Sequence, residues 1–429
     1  MSDPGPSRPH SPSRPSAGAD PTAALVALAG LPGIGPATLL RCQEEGAVQA
    51  WEAVVAGRAR RSPGLAKAIA ATRTNRRPLT EAQLAAAARP VDPTAVLARQ
   101  RTEGRQVLVR GTPGYPARLA DDPAAPAVLF VQGREEVLQQ PTVAVVGTRN
   151  CTRAGRDLAH GLGADLHRAG VTVVSGLALG IDGAAHRGVL AAMAHHRGNV
   201  DGEHREGAGA PAPGLAPGPE PGVGPVGVVA CGLDIAYPRR HTDLHRAVAG
   251  AGLLVSEVPL GLRPTAWRFP ARNRIIAGLA RAVVVVESRS AGGSMHTVAE
   301  ALARGVPVLA VPGYPASPAA AGPNDLIYDG ATPLRSVHDV LFEIGLAPAA
   351  PTGRPGRSVA PPADRSERSV LQALHGGPAA LEEVVRRTGL TLEVASRALL
   401  ALEADGRVAC ASGWYEAVPA PMAQGRADR

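Results

Sequence analysis

Glycines, hydroxyls and arginines recur at the ends of β-branched runs in this sequence, and these residue types together bind anions. The run TVAVV (142–146) is followed directly by Gly147, Thr148 and Arg149. Glycine lets a ligand approach the backbone, N–H groups bind its oxygens, and guanidinium contacts them in a bidentate manner. The candidate phosphate ligands chosen in this way are Gly147, Thr148, Arg149, Ser175, Gly176, Gly180, Arg268, Arg272, Asn273, Arg274, Gly293 and Ser294.

The phosphate could belong to a nucleotide cofactor, an enzyme substrate or the backbone of a nucleic acid. The glycine loop lacks the GxGxxG pattern, and no acidic residue lies where a ribose partner is expected, which disfavours NAD. No GxxxxGK[ST] motif occurs, so ATP hydrolysis would lack its lysine. We therefore expect a polyanion as the ligand and no cofactor.

A catalytic alternative stays open. The stretch AGGSMHTVAE (291–300) places two glycines before a helix with Thr297 and Glu300, as in nucleotide-cleaving phosphoribohydrolases of a related fold. Against this, Asp182 is well placed as a helix N-cap and His186 as a brace inside the helix. No pair of carboxylates can be assigned as general acid and general base, so we expect no catalytic residues.

The length, composition and cysteine spacing of the chain limit the classes of protein to which it can belong. With 429 residues, of which 45% are hydrophobic and 19% charged, the chain is expected to be globular with two or three domains. The cysteines (Cys42, Cys151, Cys231 and Cys410) lie far apart, which favours a reducing cytosol over a zinc site or a disulfide frame. No run of about 18 uncharged apolar residues occurs, so we expect a cytoplasmic protein without a membrane span.

A doubly wound, Rossmann-like α/β domain is predicted over residues 112–345. Strands that are apolar along their whole length are typical of a parallel sheet covered by helices on both faces. Ligands of such sheets bind at the carboxyl ends of the strands, where the candidate residues lie. The predicted strands are 142–147, 171–176, 226–232, 253–259, 282–288 and 306–313, and the predicted helices are 153–169, 182–194, 242–250, 271–280 and 295–304.

Residues 22–110 are Ala-rich and predicted to be helical, after a Pro/Ser-rich tail (1–21) that we expect to be disordered. Gly33 and Gly35 lie between two helices in a helix-hairpin-helix pattern, whose turn can hold a DNA phosphate through backbone amides. The same glycines also suit an ordinary turn between helices. Residues 1–110 contain 15 basic and 8 acidic residues, which suits either a polyanion or a solubilising surface.

The remaining segments flank or interrupt the α/β domain. The Gly/Pro-rich stretch 195–225 is expected to be a disordered insertion, and 346–367 is interpreted as an inter-domain linker. Residues 368–418 have the helix and strand order of a winged helix and precede a tail (419–429). Winged helices contact proteins as often as DNA, and the recognition helix at 391–404 carries mixed charge, so the partner of this domain stays open.

Residues 112–345 also contain many motifs in a dense order. They are YPARL (115–119), VAVVGTR (143–149), VVSGLALGID (173–182), ACGLDIAYP (230–238), LLVSEVP (253–259), RFPARNRIIAGL (268–279), VVVVES (283–288), VPVLAVPG (306–313) and GPNDLIYDGA (322–331). In order and spacing these motifs resemble the DNA-processing protein A (DprA/Smf) family. The helix-hairpin-helix region and the winged helix resemble the extensions of many family members.

The resemblance implies a non-enzymatic protein of the bacterial cytosol that binds and protects single-stranded DNA and loads the RecA recombinase during natural transformation. It also implies a homodimer formed through the Rossmann-like domain. Residues that match the family's phosphate-binding motifs and their neighbouring loop by position are Thr148, Arg149, Gly176, Gly180, Arg272, Asn273 and Arg274.

The sequence departs from the family pattern in two places and limits the mode of binding. Ala271 stands where a basic residue is common, and SAGGSMHTVAEAL (290–302) replaces the usual Ser-Gly-Ser/Thr run.

Aromatic residues form only 3% of the chain, so we expect limited stacking on bases and affinity that falls steeply with salt. Because no reader of base edges is evident, we expect no sequence preference.

Overall fold

The computed structural model describes residues 20–71, 73–74, 77–202, 223–346, 364–374, 377–404, 407–411 and 413–417. They fall into two compact units, divided between residues 348 and 349. Most of the N-terminal tail, the C-terminal tail, most of the insertion and most of the linker lie outside the described residues.

The Ala-rich N-terminal sequence folds into short helices, as its composition predicts. They are α1 Pro21–Ala29, α2 Pro36–Glu45, α3 Ala47–Val55, α4 Pro63–Ala71, α5 Glu81–Ala88 and α6 Pro93–Gln100, with a small hairpin of β1 Arg73–Thr74 and β2 Arg77–Pro78. Asp20 caps α1 by accepting the Thr22 N–H at 2.8 Å, so regular structure begins just inside the expected tail. The helical region ends at Gln100 rather than at residue 110, because residues 105–109 form a strand.

A mixed, mostly parallel sheet forms the centre of the first unit. Its strands are β3 Arg105–Val109, β4 Val128–Gly133, β5 Thr142–Val146, β6 Thr172–Ser175, β7 Pro225–Val229, β8 Leu253–Ser256, β9 Ala282–Val285, β10 Val308–Ala310 and β11 Thr332–Pro333. Among the described residues their order is β11-β10-β9-β5-β6-β7-β8-β4-β3. Strands from β11 to β8 pair in parallel, and β4 and β3 are antiparallel additions at the β8 edge.

Helices cover both faces of this sheet. They are α7 Ala117–Ala120, α8 Arg153–Arg168, α9 Ile181–Gly202, α10 Thr242–Ala251, α11 Arg268–Leu279, α12 Ser294–Leu302, α13 Ala321–Tyr328 and α14 Val337–Glu343. Alternate residues of β5 point to opposite faces: Ala144 packs with Ile275 of α11, and Val145 packs in the cluster that contains Leu162 of α8. The doubly wound α/β fold expected from the sequence is confirmed.

Some elements differ from the sequence prediction. Helix α9 runs to Gly202 and thus includes the first residues of the expected insertion, whose remainder (203–222) lies outside the described residues. Strands β3, β4 and β11 were not predicted. Strand β4 pairs with β8, which is far away in the chain, and β11 has only two residues, so no local pattern marked either of them.

The chain order creates a switch point between β5 and β9. From β5 the chain builds β6, β7 and β8 in one direction, and it then crosses to β9 on the other side of β5. The loops that leave the carboxyl ends of β5 and β9 therefore diverge. In open α/β sheets ligands bind in the crevice that such a divergence leaves.

The N-terminal helices share a core with the sheet. Leu28 of α1 and Leu84 of α5 belong to the same buried cluster as Phe130 of β4 and Val229 of β7. Because this cluster is continuous, the helical region packs on the α/β fold as part of one unit, near the carboxyl end of β7.

The second unit has the predicted winged-helix order. Its elements are α15 Arg365–Leu374, β12 Ala379–Ala380, α16 Leu381–Thr388, α17 Leu392–Ala404, β13 Val408–Ala411 and β14 Trp414–Ala417. In the described part of the unit the strands pair in the order β12-β14-β13. Val370, Leu374, Val384, Leu399 and Leu402 form its own buried core.

Candidate functional site

A cleft of about 400 Å³ opens at the switch point between β5 and β9. Its walls are the loop after β5, the loop after β9 and the first turns of α11. The structure thus brings blocks that lie far apart in the sequence to one site. The predicted ligands that line the cleft are Gly147, Thr148, Arg149, Arg272, Asn273, Gly293 and Ser294.

The loop after β5 carries Arg149 at the mouth of the cleft. The Thr148 N–H donates to the carbonyl oxygen of Glu287 at 2.7 Å, which ties this loop to the end of β9. The Arg149 side chain is exposed, and its guanidinium carbon lies 5.4 Å from the centroid of the Phe269 ring. This cation–π contact restrains the guanidinium where an incoming phosphate can reach it.

The loop after β6 packs against the loop after β5. Gly180 has φ +80°, and a Cβ atom there would overlap the carbonyl oxygen of Thr148, so the position requires glycine. The Ile181 N–H donates to the same carbonyl oxygen at 3.3 Å. The Gly176 N–H donates to the buried carboxylate of Asp182 at 3.1 Å. Gly176 and Gly180 therefore act here through the packing of the two loops.

Ser175 and Arg272 are engaged inside the protein. The buried Ser175 hydroxyl donates to the carbonyl oxygen of Val145 at 2.6 Å. The Arg272 guanidinium donates to the carbonyl oxygens of Gly176, at 2.9 Å, and of Val228. Burial lowers the pKa of Arg272 to about 10. In this arrangement both residues support the loops that form the site, and a direct phosphate contact of either one stays a prediction.

Arg268 and Arg274 do not line the cleft. Arg274 forms a largely buried ion pair with Glu257, whose pKa is raised by burial against the effect of the Arg274 charge. Arg268 donates to the carbonyl oxygen of Arg263 at 2.7 Å and stacks over the exposed Trp267 ring. On a helix consecutive side chains point in different directions, so the residues of RFPARNR cannot all face one cleft. The structure therefore does not bring Arg268 and Arg274 to this cleft, and a phosphate contact of either arginine stays a prediction.

Helix α12 directs its N-terminus into the cleft. Gly293 is its N-cap and Ser294 its first residue, with the Ser294 hydroxyl donating to the Ser288 hydroxyl at 2.8 Å. The first amides of a helix have no partner within it, and the helix dipole adds positive potential there. The exposed side chains of Arg289 and His296 lie on the same wall. This wall therefore combines backbone amides with a cation, which suits a phosphate.

An aromatic cluster at the cleft mouth was missed by sequence reasoning. The ring centroids of Tyr237 and Phe269 lie 5.5 Å apart, and Tyr237 is 41% exposed. A smaller cavity of about 100 Å³, lined by both Tyr237 and Phe269, adjoins the cleft and shares Arg149 and Arg272 with it. The overall aromatic content does not reveal that the Tyr237 and Phe269 rings meet here; the RFP motif was the local signal.

Family models match most of the described chain. The model for DNA recombination-mediator protein A matches residues 106–200 and 220–345, and the model for the DprA winged helix domain matches residues 354–413. The chain belongs to the DprA/Smf family. The family resemblance seen in the ordered motifs is thereby confirmed, and with it a role in DNA processing.

Relatives of this DprA-family chain match it over most of their length. It is 31% identical over 352 residues to Protein Smf of Synechocystis sp., covering 74% of this chain and 81% of the relative. It is 36% identical over 310 residues to a putative DNA processing protein DprA of Mycobacterium tuberculosis, covering 71% and 72%. The X-ray structure of DNA processing protein A from Streptococcus pneumoniae superposes with a TM-score of 0.55 at 27% identity, covering 74% of this chain and 95% of that one.

The helix-hairpin-helix turn of this DprA-family member packs beside α11. Gly33 has φ +79° between α1 and α2, and Gly35 is the N-cap of α2. Ile34 and Gly35 line a cavity of about 40 Å³ together with Trp267 and Arg268. The turn therefore joins the helical region to the DprA fold, and a DNA contact through its amides stays a prediction.

The residues behind the catalytic alternative are dispersed in the DprA fold. Thr297 lines the cleft, whereas Glu300 lines a different groove and forms an ion pair with Arg304 at 2.5 Å. Asp182 accepts a loop N–H instead of capping α9, and burial raises its pKa. Burial lowers the pKa of His186 to about 3, so its ring is neutral near pH 7. Asp182 and His296 line the cleft together with Thr297, whereas Glu300 does not.

The arginines of the DprA winged helix are partly neutralised within the unit. Arg386 and Arg387 on α16 both pair with Glu383, at 2.5 Å and 2.7 Å. On α17 the exposed side chains are of mixed character and include the anionic Glu393, the cationic Arg397 and the apolar Leu400. The described surface of this unit therefore offers a phosphate backbone fewer free cations than its arginine content suggests.

Over the described ranges, no group of three His, Cys, Asp or Glu side chains could hold a metal ion, and no helix has the length and apolar character to cross a bilayer. The four cysteines are free thiols, and burial raises the pKa of Cys42 to about 12 and that of Cys231 to about 11. Both of these thiols are therefore protonated near pH 7.

Proposed function

We propose that the cleft binds successive phosphates of single-stranded DNA and that the protein protects this strand and delivers it to the RecA recombinase in the cytosol, without catalysing a reaction. One observation carries the proposal: exposed Arg149, exposed Arg289 and the N-terminus of α12 converge on one cleft. Cations and helix-terminal amides on facing walls suit an anion between them. Membership of the DprA/Smf family supports DNA as the source of that anion.

The dimensions and the rings of the site favour one strand over a duplex. A cleft of about 400 Å³ has the volume of a small-molecule pocket, which suits a nucleotide of one strand rather than a duplex. Phe269 and Tyr237 border it, and aromatic side chains stack on bases that are not paired. Stacking therefore adds to the electrostatic term that composition alone suggested.

A salt-dependent binding assay on the full-length protein tests this proposal. A fluorescent oligothymidylate and a duplex of equal length are titrated at several salt concentrations. We expect about tenfold tighter binding of the single strand, and a logarithmic salt slope of about −0.7 for each phosphate contact. Equal affinity for the duplex, or an affinity independent of salt, would contradict the proposed site.

Delivery to RecA needs its own measurement, because it rests on the family resemblance. We expect the protein to accelerate RecA filament formation on DNA coated with a single-strand-binding protein. The Arg149→Ala variant should accelerate it less, in proportion to its DNA affinity. If the wild-type protein binds DNA but leaves the filament rate unchanged, the RecA part of the proposal is wrong.

We further propose that two copies associate through the β11 edge of the sheet. Helices α13 and α14 flank β11 in the chain and expose Tyr328 (91%) and Phe342 (79%). Large exposed apolar side chains beside a strand edge are typical of an interaction surface. Light scattering should show a dimer for the wild type and a monomer for Tyr328→Glu, whereas Leu158→Glu on α8 should leave the dimer intact. A dimeric Tyr328→Glu protein would exclude this surface.

The absence of catalysis is also tested directly. Incubation with nucleoside monophosphates should release no free base, because Glu300 lies in a different groove from Thr297. Release that scales with protein concentration and disappears in Glu300→Gln would restore the phosphoribohydrolase alternative.

A further inference from the structure

A carboxylate of the protein itself occupies the N-terminus of α8. Glu287 lies just beyond β9 and reaches the loop after β5 because these strands are neighbours. Its Oε2 accepts the Thr152 N–H at 2.8 Å, and its Oε1 accepts the Thr152 hydroxyl at 2.5 Å. The Thr152 hydroxyl oxygen in turn accepts the Gly155 N–H at 2.9 Å. The Thr152 and Gly155 amides at the start of α8 thus have their partners within the chain.

This end of α8 is where open α/β folds hold nucleotide phosphates. In dinucleotide-binding folds the pyrophosphate lies at the N-terminus of the helix that follows the strand at the switch point. Here the Glu287 carboxylate lies in that place. Gly155 provides the space, because a Cβ atom at residue 155 would overlap the carboxylate. The space at Gly155, which in a dinucleotide-binding fold would lie beside a phosphate, is therefore filled here by the Glu287 side chain.

The backbone of Glu287 also holds the loop after β5. Its carbonyl oxygen accepts the Thr148 N–H at 2.7 Å, so both ends of the Thr148–Thr152 segment are bonded to one residue. Arg149 lies within this segment. Glu287 therefore restrains the loop that carries the exposed guanidinium.

We propose that Glu287 determines specificity: it keeps the phosphates of free nucleotides off α8 and leaves the α12 side of the cleft for the DNA backbone. Two anions cannot accept from the same amides, and their charges repel each other. The N-terminus of α12 has no carboxylate in the equivalent place among the described residues, and Arg289 lies beside it. The exclusion of nucleotides follows from the contacts alone, whereas the DNA part rests on the proposed function.

The test is a gain of binding by the full-length protein. Inorganic pyrophosphate is titrated into the wild type and into Glu287→Ala by calorimetry at constant ionic strength. We expect Glu287→Ala to bind pyrophosphate at least tenfold more tightly than the wild type. Asp157→Ala is the matched control, because it removes an exposed carboxylate from the same helix, next to Arg153, and should behave as the wild type. If Glu287→Ala melts at the wild-type temperature and shows no gain, the proposal is overturned.

A second variant and a competition measurement keep the proposal decidable if Glu287→Ala does not fold. Glu287→Ser removes the charge and the reach of the carboxylate but keeps a polar side chain, and the same gain is expected. Pyrophosphate also competes with oligothymidylate for the α12 side of the cleft, so the gain is measured with that side saturated by oligothymidylate; loss of the gain under this condition would contradict the proposal. If the wild type fails to bind oligothymidylate at all, the proposed function falls, while the pyrophosphate gain still decides the role of Glu287.

Discussion

The arginines around the cleft form two groups with different contacts. Arg149 and Arg289 lie on the exposed rim, and Arg149 stacks on an aromatic ring while its charge faces the cleft mouth. Arg272 and Arg274 lie in the support beneath the rim, bonded to backbone carbonyls and to Glu257. A nucleic-acid site thus uses guanidinium groups both as ligands and as braces for the loops that carry the ligands. Substitution of a supporting arginine should therefore lower mainly the stability of the protein. Substitution of a rim arginine should lower mainly its affinity for DNA.

Removal of the support should have the largest effect. Arg272→Ala leaves the carbonyl oxygens of Gly176 and Val228 without this donor and leaves the buried Asp182 without a nearby cation. Breaking such a buried charged network costs about 3–5 kcal/mol of unfolding free energy. Urea denaturation measures the loss, with Arg272→Lys as the control that retains the charge. A fully stable Arg272→Ala protein that has lost DNA binding would reassign Arg272 to the rim.

A fall in pH should lower the stability of the buried residues beneath the cleft, whereas the rim arginines keep their charge. His186 is fully buried with its pKa lowered to about 3, whereas an unfolded histidine titrates near 6.5. Between these values the unfolded state binds the proton and the folded state does not, so stability falls as pH falls. From pH 7 to pH 5 the His186 contribution to this loss is about 2 kcal/mol. Urea midpoints at both pH values measure the total loss.

The matched control for this effect is His186→Asn, whose loss between pH 7 and pH 5 should be smaller by that amount. His241 and Arg187 contribute to the environment of His186 and are present in both proteins, so they cancel in the comparison. An equal acid loss in the two proteins would show that His186 does not titrate as its burial demands.

Removal of a rim cation should lower DNA affinity without unfolding the protein. Arg149→Ala is expected to weaken oligothymidylate binding about tenfold, which is about 1.4 kcal/mol, and to reduce the salt slope by about 0.7. Arg168→Ala is the control, since Arg168 is an exposed arginine at the opposite end of α8. A drop in the urea midpoint of Arg149→Ala would place this residue in the support.

Removal of the aromatic face should have a smaller effect of a different kind. Phe269→Leu keeps an apolar side chain but removes the ring that contacts Arg149 and Tyr237. Stacking on a base contributes about 1–3 kcal/mol, of which leucine retains a part, so we expect about fivefold weaker binding. The salt slope should not change, because no cation is removed. A changed slope would indicate that Phe269 acts only by positioning Arg149.

The winged helix should contribute least to binding at the cleft. Residues 1–348 form a compact unit, and the α16 arginines of the second unit are paired with Glu383. We expect a protein ending at residue 348 to bind oligothymidylate within about twofold of the full chain, since all the residues that line the cleft lie in the first unit. A large loss in the same assay would assign a DNA contact to the winged helix.

Much of the fold follows from local sequence patterns. The runs at β5, β6 and β9 are apolar throughout, and such runs are stable only when both faces are covered, so the doubly wound sheet could be predicted. The winged-helix order could also be predicted from a local pattern, because its amphipathic helices are followed by a short pair of strands. Strands β4 and β11 depend on partners that are distant in sequence, so their local residues did not indicate them.

The candidate site could be predicted only in part. Loops after parallel strands lie at one edge of the sheet whatever the details of packing, so Thr148, Arg149 and Ser294 were placed near one another by topology. The direction of each side chain was not predictable, because Arg272 and Arg274 lie on a helix whose rotation about its axis depends on its packing against the sheet. The contact between Glu287 and α8 also required the β5–β9 neighbour relation, which the sequence does not display.

By itself, the sequence determined the α/β class, the family and the presence of anion-binding residues at strand ends, because apolar runs and glycine–hydroxyl–arginine loops are local properties. The tertiary structure alone decided which arginines are exposed, where the few aromatic rings converge and which helix end is occupied by Glu287. Exposure and occupancy depend on how segments far apart in the chain pack together, and no single stretch of residues contains that information.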